Sequence, residues 1–389
     1  MKNLRQLFLM SYCLTVPAWS GLVIIPLEDF DASAGMPRAV TRDGKVVVGH
    51  GPSGSSEATL IWDTFGQVRS IGPGVLYDVN DSASVFVGQT IEGRPAKWSN
   101  AVNSIQLLNS FEQGVAHTVT ASGATSFGAE IPAIYNFRAT KFSHQILEVE
   151  ELAPIFSRVN ECSADGSTLV GEATFDNQTK AFRKVGTDPL EDLGLLNGGS
   201  SVAQDVSDDG KVVVGVSSFR FFIWTEKDGM VDLEVAHNGT FSDNDISVSG
   251  DGNVVVGASG PNCFSWDEIH GVRNLMSTLQ EGGLDLAGWE LDTVLATSYD
   301  GNVLVGVGRF GVNPEPKAWM VKGFSTFLPP KIRIEELGTG FVVKFSGILQ
   351  QSSDLGLTDP WTDVPGSPVS EYIIPSPTGN RRFFRARSN

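Results

Sequence analysis

The chain has 389 residues and a formal net charge of −17, with 19% charged and 41% hydrophobic residues. This length excludes a small disulfide-stabilised domain and predicts one large repeat fold or two domains. The acidic balance disfavours nucleic acid as a partner, because the surface would repel a polyanion. The 43 glycines, together with abundant Val, Thr and Phe, favour short strands and tight turns.

Residues 1–20 have the pattern of an export signal. Lys2 and Arg5 precede an apolar run over residues 7–18, and small residues at 18 and 20 offer a cleavage site. The run is shorter than the roughly 20 apolar residues that a membrane anchor needs. We therefore predict a secreted or cell-surface protein without a transmembrane segment.

A unit that recurs seven times dominates residues 21–327. In its clearest copies an Asp-Gly pair, such as Asp209-Gly210, is followed by an apolar run that closes with a glycine. The closing glycines stand at 49, 88, 128, 171, 215, 257 and 306, and an aromatic residue and further apolar residues follow them. Because Asp and Gly tolerate positive φ, the pair predicts a type I′ hairpin turn. Each unit is therefore predicted to be a four-stranded meander, the blade of a β-propeller.

The two ends of the repeat array complement each other. The seventh copy stops at Gly323 without its fourth apolar run, whereas the apolar run Leu22–Leu27 stands alone ahead of the first copy. We predict an all-β, seven-bladed β-propeller closed by the N-terminal strand, which leaves no blade with a bare edge. An open β-solenoid and a ring of six or eight blades are the alternatives.

The pattern changes after Pro329-Pro330. Six short apolar runs in residues 328–389 predict a small β-sandwich of roughly fibronectin type III character. The predicted domains are thus a signal peptide over 1–20, a propeller over 21–327 and a C-terminal β-sandwich over 328–389.

The predicted blades divide the propeller surface into two faces. The Asp-Gly face holds the turns between first and second strands and between third and fourth strands. The loop face holds the turns between second and third strands and the blade connections, whose lengths vary more. Because variable loops on a rigid scaffold often carry function, we expect ligand binding on the loop face.

The candidate ligand-binding residues on the loop face mix aromatic and polar side chains, which suits the apolar ring faces and the hydroxyls of a carbohydrate. They are Asp29, Asp31, His50, Tyr135, Phe137, Arg158, Asp176, Asn238, Phe241, Asp243, Arg309 and Phe310. Phe156 belongs to the same loops. The alternative is that most of these phenylalanines pack blades together. The recurrent Trp62, Trp98, Trp224, Trp266 and Trp319 are expected to pack between neighbouring blades.

The sequence lacks the common catalytic and metal-binding motifs. Its five histidines are scattered, and no G-x-S-x-G elbow or phosphate-binding loop occurs, so we predict no metal and no cofactor. Cys162 and Cys263 fall in non-adjacent repeats and are expected to be buried free thiols. Carboxylates from different blades could still converge at the centre. Two closely spaced inward acids with raised pKa values would favour an enzyme.

Two parts of the chain resemble known secreted proteins. The run from Ala203 to Gly215, with Trp224 after it, resembles the HAF-type extracellular repeat of secreted bacterial proteins. The last unit is similar to the way such arrays end, and the resemblance covers roughly residues 30–322, although copies two and three depart from it. The tail, with Trp361 and residues 382–387, resembles a C-terminal β-domain of secreted bacterial proteins. These resemblances imply export and a surface or matrix role, and they transfer no catalytic residue.

The leading interpretation is an exported, monomeric, non-enzymatic propeller that binds carbohydrate or protein through its loop face. One alternative is a polysaccharide hydrolase or lyase with carboxylates in the central cleft. The other is a purely structural spacer.

Overall fold

The computed structural model is that of an all-β protein. It describes residues 21–31, 33–101, 104–108, 113–133, 136–144, 149–152, 156–237, 245–260, 262–311, 315–327, 332–337, 340–345, 348–352, 362–364, 371–374 and 383–387. The chain divides into a large unit, Gly21–Trp266 with Val272–Ser325, and a smaller unit that contains Thr326–Asn389.

The large unit contains seven four-stranded antiparallel sheets, which are the blades. The first strand of the chain is β1 (Val23–Pro26). Blade 1 contains β2 (Met36–Val40), β3 (Val47–Ser53), β4 (Ser56–Trp62) and β5 (Val68–Arg69); blade 2 contains β6 (Val75–Val79), β7 (Val85–Gln89), β8 (Pro95–Ser99) and β9 (Ile105–Leu107). Blade 3 contains β10 (Gln113–Val119), β11 (Thr125–Ala133), β12 (Asn136–Ser143) and β13 (Val149–Glu151); blade 4 contains β14 (Arg158–Cys162), β15 (Thr168–Phe175), β16 (Gln178–Val185) and β17 (Glu191–Asp192).

The remaining blades follow the same order. Blade 5 contains β18 (Ser201–Val206), β19 (Val212–Ser217), β20 (Arg220–Thr225) and β21 (Gly229–Ala236). Blade 6 contains β22 (Ile246–Val248), β23 (Val255–Ser259), β24 (Asn262–Asp267) and β25 (Gly271–Asn274). A short helix, α1 (Leu275–Glu281), precedes blade 7, which contains β26 (Trp289–Thr297), β27 (Val303–Phe310) and β28 (Pro316–Lys322).

The N-terminal strand closes the ring. Strand β1 pairs antiparallel with β28, from Val23 opposite Lys322 to Pro26 opposite Trp319, and so becomes the fourth strand of blade 7. The first strands of successive blades contact one another in cyclic order, and β2 of blade 1 also contacts β26 of blade 7. The predicted seven-bladed, closed propeller is therefore confirmed, and the open solenoid is wrong.

The recurrent tryptophans join neighbouring blades. Trp62 is fully buried in a cluster with Val303 and Val305 of blade 7, and Trp98 of blade 2 is buried with Val48 of blade 1. Burying a large aromatic side chain contributes about 3 kcal/mol or more to the free energy of unfolding. The repeated aromatic position therefore stabilises the boundaries of blade 1 with blades 7 and 2.

The Asp-Gly turns form a hydrogen-bonded motif that repeats in five blades. In each of them a hydroxyl donates to the Asp carboxylate over 2.6–2.9 Å: Thr41 to Asp43, Ser163 to Asp165, Ser207 to Asp209, Ser249 to Asp251 and Ser298 to Asp300. The glycine alone adopts positive φ, 71° at Gly210, and its N–H donates to the Ser207 carbonyl over 2.8 Å. The predicted type I′ turn is wrong, because the hydroxyl and carboxylate stabilise a type I turn followed by a left-handed glycine.

The smaller unit contains two three-stranded antiparallel sheets. The helix α2 (Phe324–Phe327) lies just before them in the chain. One sheet has the order β29 (Ile332–Leu337), β30 (Gly340–Phe345), β33 (Glu371–Ile374), and the other has the order β32 (Thr362–Asp363), β31 (Ile348–Ser352), β34 (Phe383–Arg387). That these two sheets pack face to face as a small β-sandwich stays a prediction. The boundaries 21–327 and 328–389 remain predictions. In the part of the chain that the structure describes, no helix has the length and apolar character required to cross a membrane.

Candidate functional site

The first strands of the blades line a narrow central channel. Six of these strands contain a β-bulge near the channel, with the extra residues Arg38, Tyr77, His117, Asn160, Gln204 and Leu295, and β26 has a second bulge at Asp292. A cavity of about 160 Å³ lies inside the ring. It is lined by the bulge residues and by the residues that follow them in each first strand, up to the Asp-Gly turns. Sites for drug-sized ligands usually measure about 300–1,000 Å³. The cavity is therefore suited to water or a small ion rather than to a sugar chain.

Three acids face this channel from different blades. Asp78, Glu161 and Asp205 each follow the bulge residue of their strand, in blades 2, 4 and 5. Burial raises the pKa of Asp78 to about 6 and the pKa of Asp205 to about 7. Burial, and then the nearby charges of Asp78 and Asp205, raise the pKa of Glu161 well above its usual range. The ring thus brings together inward acids with raised pKa values, the feature that favours an enzyme.

Hydrogen bonds give two of these acids a structural role. Asp78 Oδ2 accepts the backbone N–H of Val119 in blade 3 over 2.7 Å. Asp205 Oδ2 accepts the N–H of Val248 over 2.8 Å and the hydroxyl of Ser247 over 2.7 Å, both in blade 6. Each aspartate therefore fastens its blade to the next one.

Glu161 shares a hydroxyl with Asp78. Thr118 Oγ1 lies within hydrogen-bond distance of Glu161 Oε1 and is 3.1 Å from Asp78 Oδ2. A hydroxyl has one proton to donate, so Thr118 cannot donate to both acids. The arrangement is satisfied when protonated Glu161 donates to Thr118 and Thr118 donates to the Asp78 carboxylate. The raised pKa of Glu161 agrees with this order.

Arg42 spans the mouth of the channel at the Asp-Gly face. Its guanidinium forms an ion pair with Asp208 of blade 5 at 3.0 Å and lies 4.0 Å from Asp81 of blade 2. The same group stacks over the ring of Tyr299 in blade 7, 3.9 Å from its centroid. Burial raises the pKa of Asp208, although Arg42 opposes this shift. Contacts from blade 1 to three other blades hold Arg42 across the opening.

The structure places the described candidate residues on or near the loop face, but it does not gather them into one pocket. Asp29 pairs with Lys317 at 2.8 Å, and Arg158 pairs with Glu172 at 2.6 Å. Asp31 accepts a hydrogen bond from Ser53 over 2.8 Å. Tyr135, Asn238, Phe241 and Asp243 lie outside the described residues.

Of the other predicted residues, His50 is largely enclosed in β3, where burial and then the charge of Arg38 lower its pKa to about 4. It is therefore neutral at physiological pH. Arg309 pairs with Asp292 at 2.7 Å, and Asp176 occupies the turn between β15 and β16. Phe310, 52% exposed, lies beside Trp289 with their ring centroids 5.0 Å apart.

Exposed phenylalanines concentrate on the loop face. Phe137, Phe156, Phe219 and Phe310 expose 37%, 54%, 60% and 52% of their surfaces. Phe156 and Phe137 are neighbours, because the Phe156 N–H donates to the Phe137 carbonyl over 2.8 Å. At the opposite face Phe65 is 77% exposed in the turn between β4 and β5. Of the phenylalanines predicted on this face, Phe137, Phe156 and Phe310 are exposed, so the alternative that they pack between blades is wrong for these three.

Sequence reasoning missed Phe219 and the three channel acids. Phe219 forms a two-residue turn with Ser218 between β19 and β20. The interval of nine residues from Gly215 to Trp224 could have indicated this tight turn. The acids stand four residues ahead of the turn positions 82, 165 and 209, so an alignment of the seven copies could have revealed their common position.

Reactive thiols and metal clusters are absent from the described ranges. Cys162 and Cys263 are buried and form no disulfide, as predicted. Burial raises the pKa of Cys263 to about 12 and that of Cys162 well above its usual range, so neither thiol is a nucleophile near neutral pH. Among these residues no group of three or more His, Cys, Asp or Glu side chains could hold a metal ion.

Comparisons with known proteins agree with the fold. No protein-family model matches the sequence, and no curated protein matches it. The structure is similar to an oligogalacturonate lyase from Vibrio parahaemolyticus, with a TM-score of 0.53, 12% identity and coverage of 77% of this chain and 97% of that chain. It is also similar to an oligogalacturonate lyase in complex with manganese, with a TM-score of 0.51, 11% identity and coverage of 77% of this chain and 90% of that chain. TolB from Acinetobacter baumannii matches with a TM-score of 0.46, 14% identity and coverage of 72% of this chain and 65% of that chain. At these identities the likeness to the two oligogalacturonate lyases shows a propeller fold alone.

Proposed function

We propose that the chain is an exported, non-enzymatic propeller that binds a carbohydrate or a protein at the cell surface or in the extracellular matrix through its loop face. The observation that carries this proposal is Phe219, an exposed aromatic residue held in an unfavourable backbone conformation on that face. Export belongs to the same proposal and rests on residues 1–20, which lie outside the described residues. The resemblance of the run from Ala203 to Gly215 to the HAF-type extracellular repeat rests on the sequence alone and is the second support for this location.

The turn at Ser218-Phe219 stores backbone strain. Both residues have positive φ, 50° and 66°. A left-handed conformation costs about 1–2 kcal/mol for a residue other than glycine, and the cost is less for Asn and Asp. Such strain persists where the surrounding structure imposes it, and it concentrates at binding and catalytic sites.

Another blade shows that the fold does not require phenylalanine at this position. The corresponding turn of blade 4 consists of Asp176 and Asn177, with φ values of 49° and 64°. Those residue types tolerate positive φ, and they close the same two-residue hairpin. Phe219 is therefore better explained by an interaction with a ligand than by turn formation.

The substitution Phe219→Asn tests the proposal and is not expected to damage the fold. We expect the variant to be more stable than the wild type by about 1 kcal/mol, because asparagine relieves the strain. In affinity gel electrophoresis against a panel of polysaccharides, we expect the full chain to be retarded and the variant to bind about ten-fold more weakly, since a stacked aromatic contributes roughly 1 kcal/mol or more.

Phe65→Asn is the matched control, because Phe65 is an exposed phenylalanine of the Asp-Gly face. It should leave retardation unchanged. Equal loss in both variants, or none with Phe219→Asn, would contradict the proposed role of the loop face. If no polysaccharide retards the chain, a protein partner is tested with the same two variants. Failure there too would favour a structural spacer.

A polysaccharide hydrolase or lyase is the second candidate, because Asp78, Glu161 and Asp205 converge in the channel with raised pKa values. The likeness to oligogalacturonate lyases is consistent with this candidate only at the level of the fold. The small cavity, the Arg42 contacts across its mouth and the blade-fastening hydrogen bonds favour a structural role for the acids. New reducing ends in the same gels, lost in Asp205→Asn, would favour the enzyme.

A further inference from the structure

We infer that the ligand of the loop face is an uncharged polysaccharide. This inference rests on the proposed function and narrows it to one chemical class. Three features of the loop face carry it: the state of its basic side chains, its excess of acids and the distribution of its exposed aromatic residues.

Basic side chains of this face are already engaged within the described residues. Six of them form ion pairs with N···O distances of 2.5–2.8 Å. In five pairs the acid belongs to the same blade, and in the sixth it is Asp29, which follows β1 in the chain. The pairs are Arg138 with Glu151, Arg158 with Glu172, Lys180 with Asp192, Arg220 with Asp232, Arg309 with Asp292, and Lys317 with Asp29. An anionic polymer would have to compete with these internal carboxylates for each cation. Recognition of uronate or sulfate groups by these side chains is therefore unfavourable.

Acidic side chains remain in excess at the same face. Asp31, Glu92 and Asp176 lie in or beside its turns, and none of them forms an ion pair within the described residues. The whole chain carries a net charge of −17. A negative surface repels a polyanion over roughly 10 Å at about 0.1 M salt. An uncharged ligand does not meet this barrier.

The exposed aromatic residues are spread over several blades. Phe137 and Phe156 lie where blades 3 and 4 meet, Phe219 belongs to blade 5, and Phe310 belongs to blade 7. Polar turns such as Asp176-Asn177 lie between them along the chain. The central core of a protein interface is a contiguous apolar cluster, whereas a glycan chain stacks single sugar rings on separate aromatic residues. Separate aromatic positions therefore favour an extended glycan over a protein surface.

Pairs of polysaccharides that share a backbone, with one member neutral and the other anionic, test this inference. The full chain is run in affinity gels that contain methyl-esterified or de-esterified homogalacturonan, dextran or dextran sulfate, and hydroxyethyl cellulose or carboxymethyl cellulose. We expect retardation by at least one neutral member, and at least about ten-fold weaker retardation by its charged counterpart. Raising the salt from about 20 mM to about 500 mM should change neutral binding by less than about two-fold, because screening acts only on charges.

The outcomes separate this inference from the proposed function. Retardation by a charged member that equals or exceeds its neutral counterpart, and that weakens with Phe219→Asn, overturns the inference and leaves loop-face binding intact. Retardation by neutral polymers supports both the inference and loop-face binding if Phe156→Ser and Phe219→Asn weaken it and Phe65→Asn does not. Absence of retardation by all six polymers overturns the inference, and loop-face binding to a protein is then decided with the same variants.

Discussion

The two faces of the propeller close their turns by different means. On the Asp-Gly face five blades use one hydrogen-bonded motif, in which a hydroxyl, a carboxylate and a left-handed glycine satisfy the turn. On the loop face the turns of blades 4 and 5 use Asp176-Asn177 and Ser218-Phe219, which adopt positive φ without glycine. Repetition at one face indicates selection for folding, whereas variation and strain at the other indicate selection for contacts outside the molecule.

The largest expected effect is the change in the free energy of unfolding with pH that the channel acids cause. It tests whether these acids, which lie toward the Asp-Gly face, stabilise the ring. Their folded pKa values, about 6 for Asp78, about 7 for Asp205 and raised for Glu161, lie above the ordinary values of an unfolded chain. The contribution of Asp78 and Asp205 to stability is therefore complete below about pH 4 and is lost as the pH rises through 6 and 7, and the raised pKa of Glu161 acts in the same direction. We expect the free energy of unfolding to fall by about 4 kcal/mol between pH 5 and pH 8, since one pKa unit corresponds to about 1.4 kcal/mol.

Urea unfolding at a series of pH values measures this effect. Asp205→Asn should flatten the profile, whereas Asp176→Asn, which replaces an exposed acid of the loop face, should leave the profile unchanged. Below about pH 4 the trend should reverse, because hydrogen bonds keep the pKa of turn acids such as Asp165 below its usual value. A wild-type profile that is flat between pH 5 and pH 8 would show that the acids are solvated.

Glycine substitutions compare the two faces directly. A Cβ at Gly210, where φ is 71°, would lie 2.3 Å from Thr168 Oγ1 of the preceding blade. We expect Gly210→Ala to lower the free energy of unfolding by about 3 kcal/mol, through backbone strain and a steric clash between blades. Gly54 in the turn between β3 and β4 has φ of 60°, and a Cβ there would meet no atom within 4 Å. Gly54→Ala should therefore cost only about 1 kcal/mol in the same denaturation experiment. Equal costs would mean that the Asp-Gly turns do not pack against neighbouring blades.

A smaller effect is expected from single hydroxyl groups in the turns. Ser207 Oγ is buried, donates to Asp209 over 2.8 Å and accepts the N–H of Val212 over 3.0 Å. Ser207→Ala leaves that N–H unsatisfied, and we expect it to cost about 2 kcal/mol. Ser218 of the loop face is the control, because its hydroxyl makes no hydrogen bond within the described ranges. Ser218→Ala should change the unfolding midpoint in urea little, and comparable losses would contradict the contrast between the faces.

Much of the fold could be predicted because its signals are local in sequence. The spacing of glycines and aromatic residues determined the strand order within each blade, and the unpaired runs at 22–27 and 316–322 indicated how the ring closes. The turn type was predicted wrongly, because it depends on hydrogen bonds between the side chains of residues such as Thr41 and Asp43. A pair of residue letters does not specify those bonds.

The candidate site could be predicted only in part. Exposed Phe137, Phe156 and Phe310 were expected on the loop face, but the strain at Phe219 depends on a two-residue turn whose register only the paired strands define. Asp78 and Glu161 are 83 positions apart in the chain, yet the hydroxyl of Thr118 contacts both.

The sequence by itself determined the number of blades, the strand that closes the ring and the division into a regular and a variable face. These properties follow from turn chemistry and hydrophobic spacing within about 45 residues, which act before distant parts of the chain meet. Only the tertiary structure decided that three acids converge in the channel and that Arg42 spans its mouth to reach Asp208. Both arrangements depend on ring closure, because it brings together side chains from non-adjacent blades and removes water from around their charges.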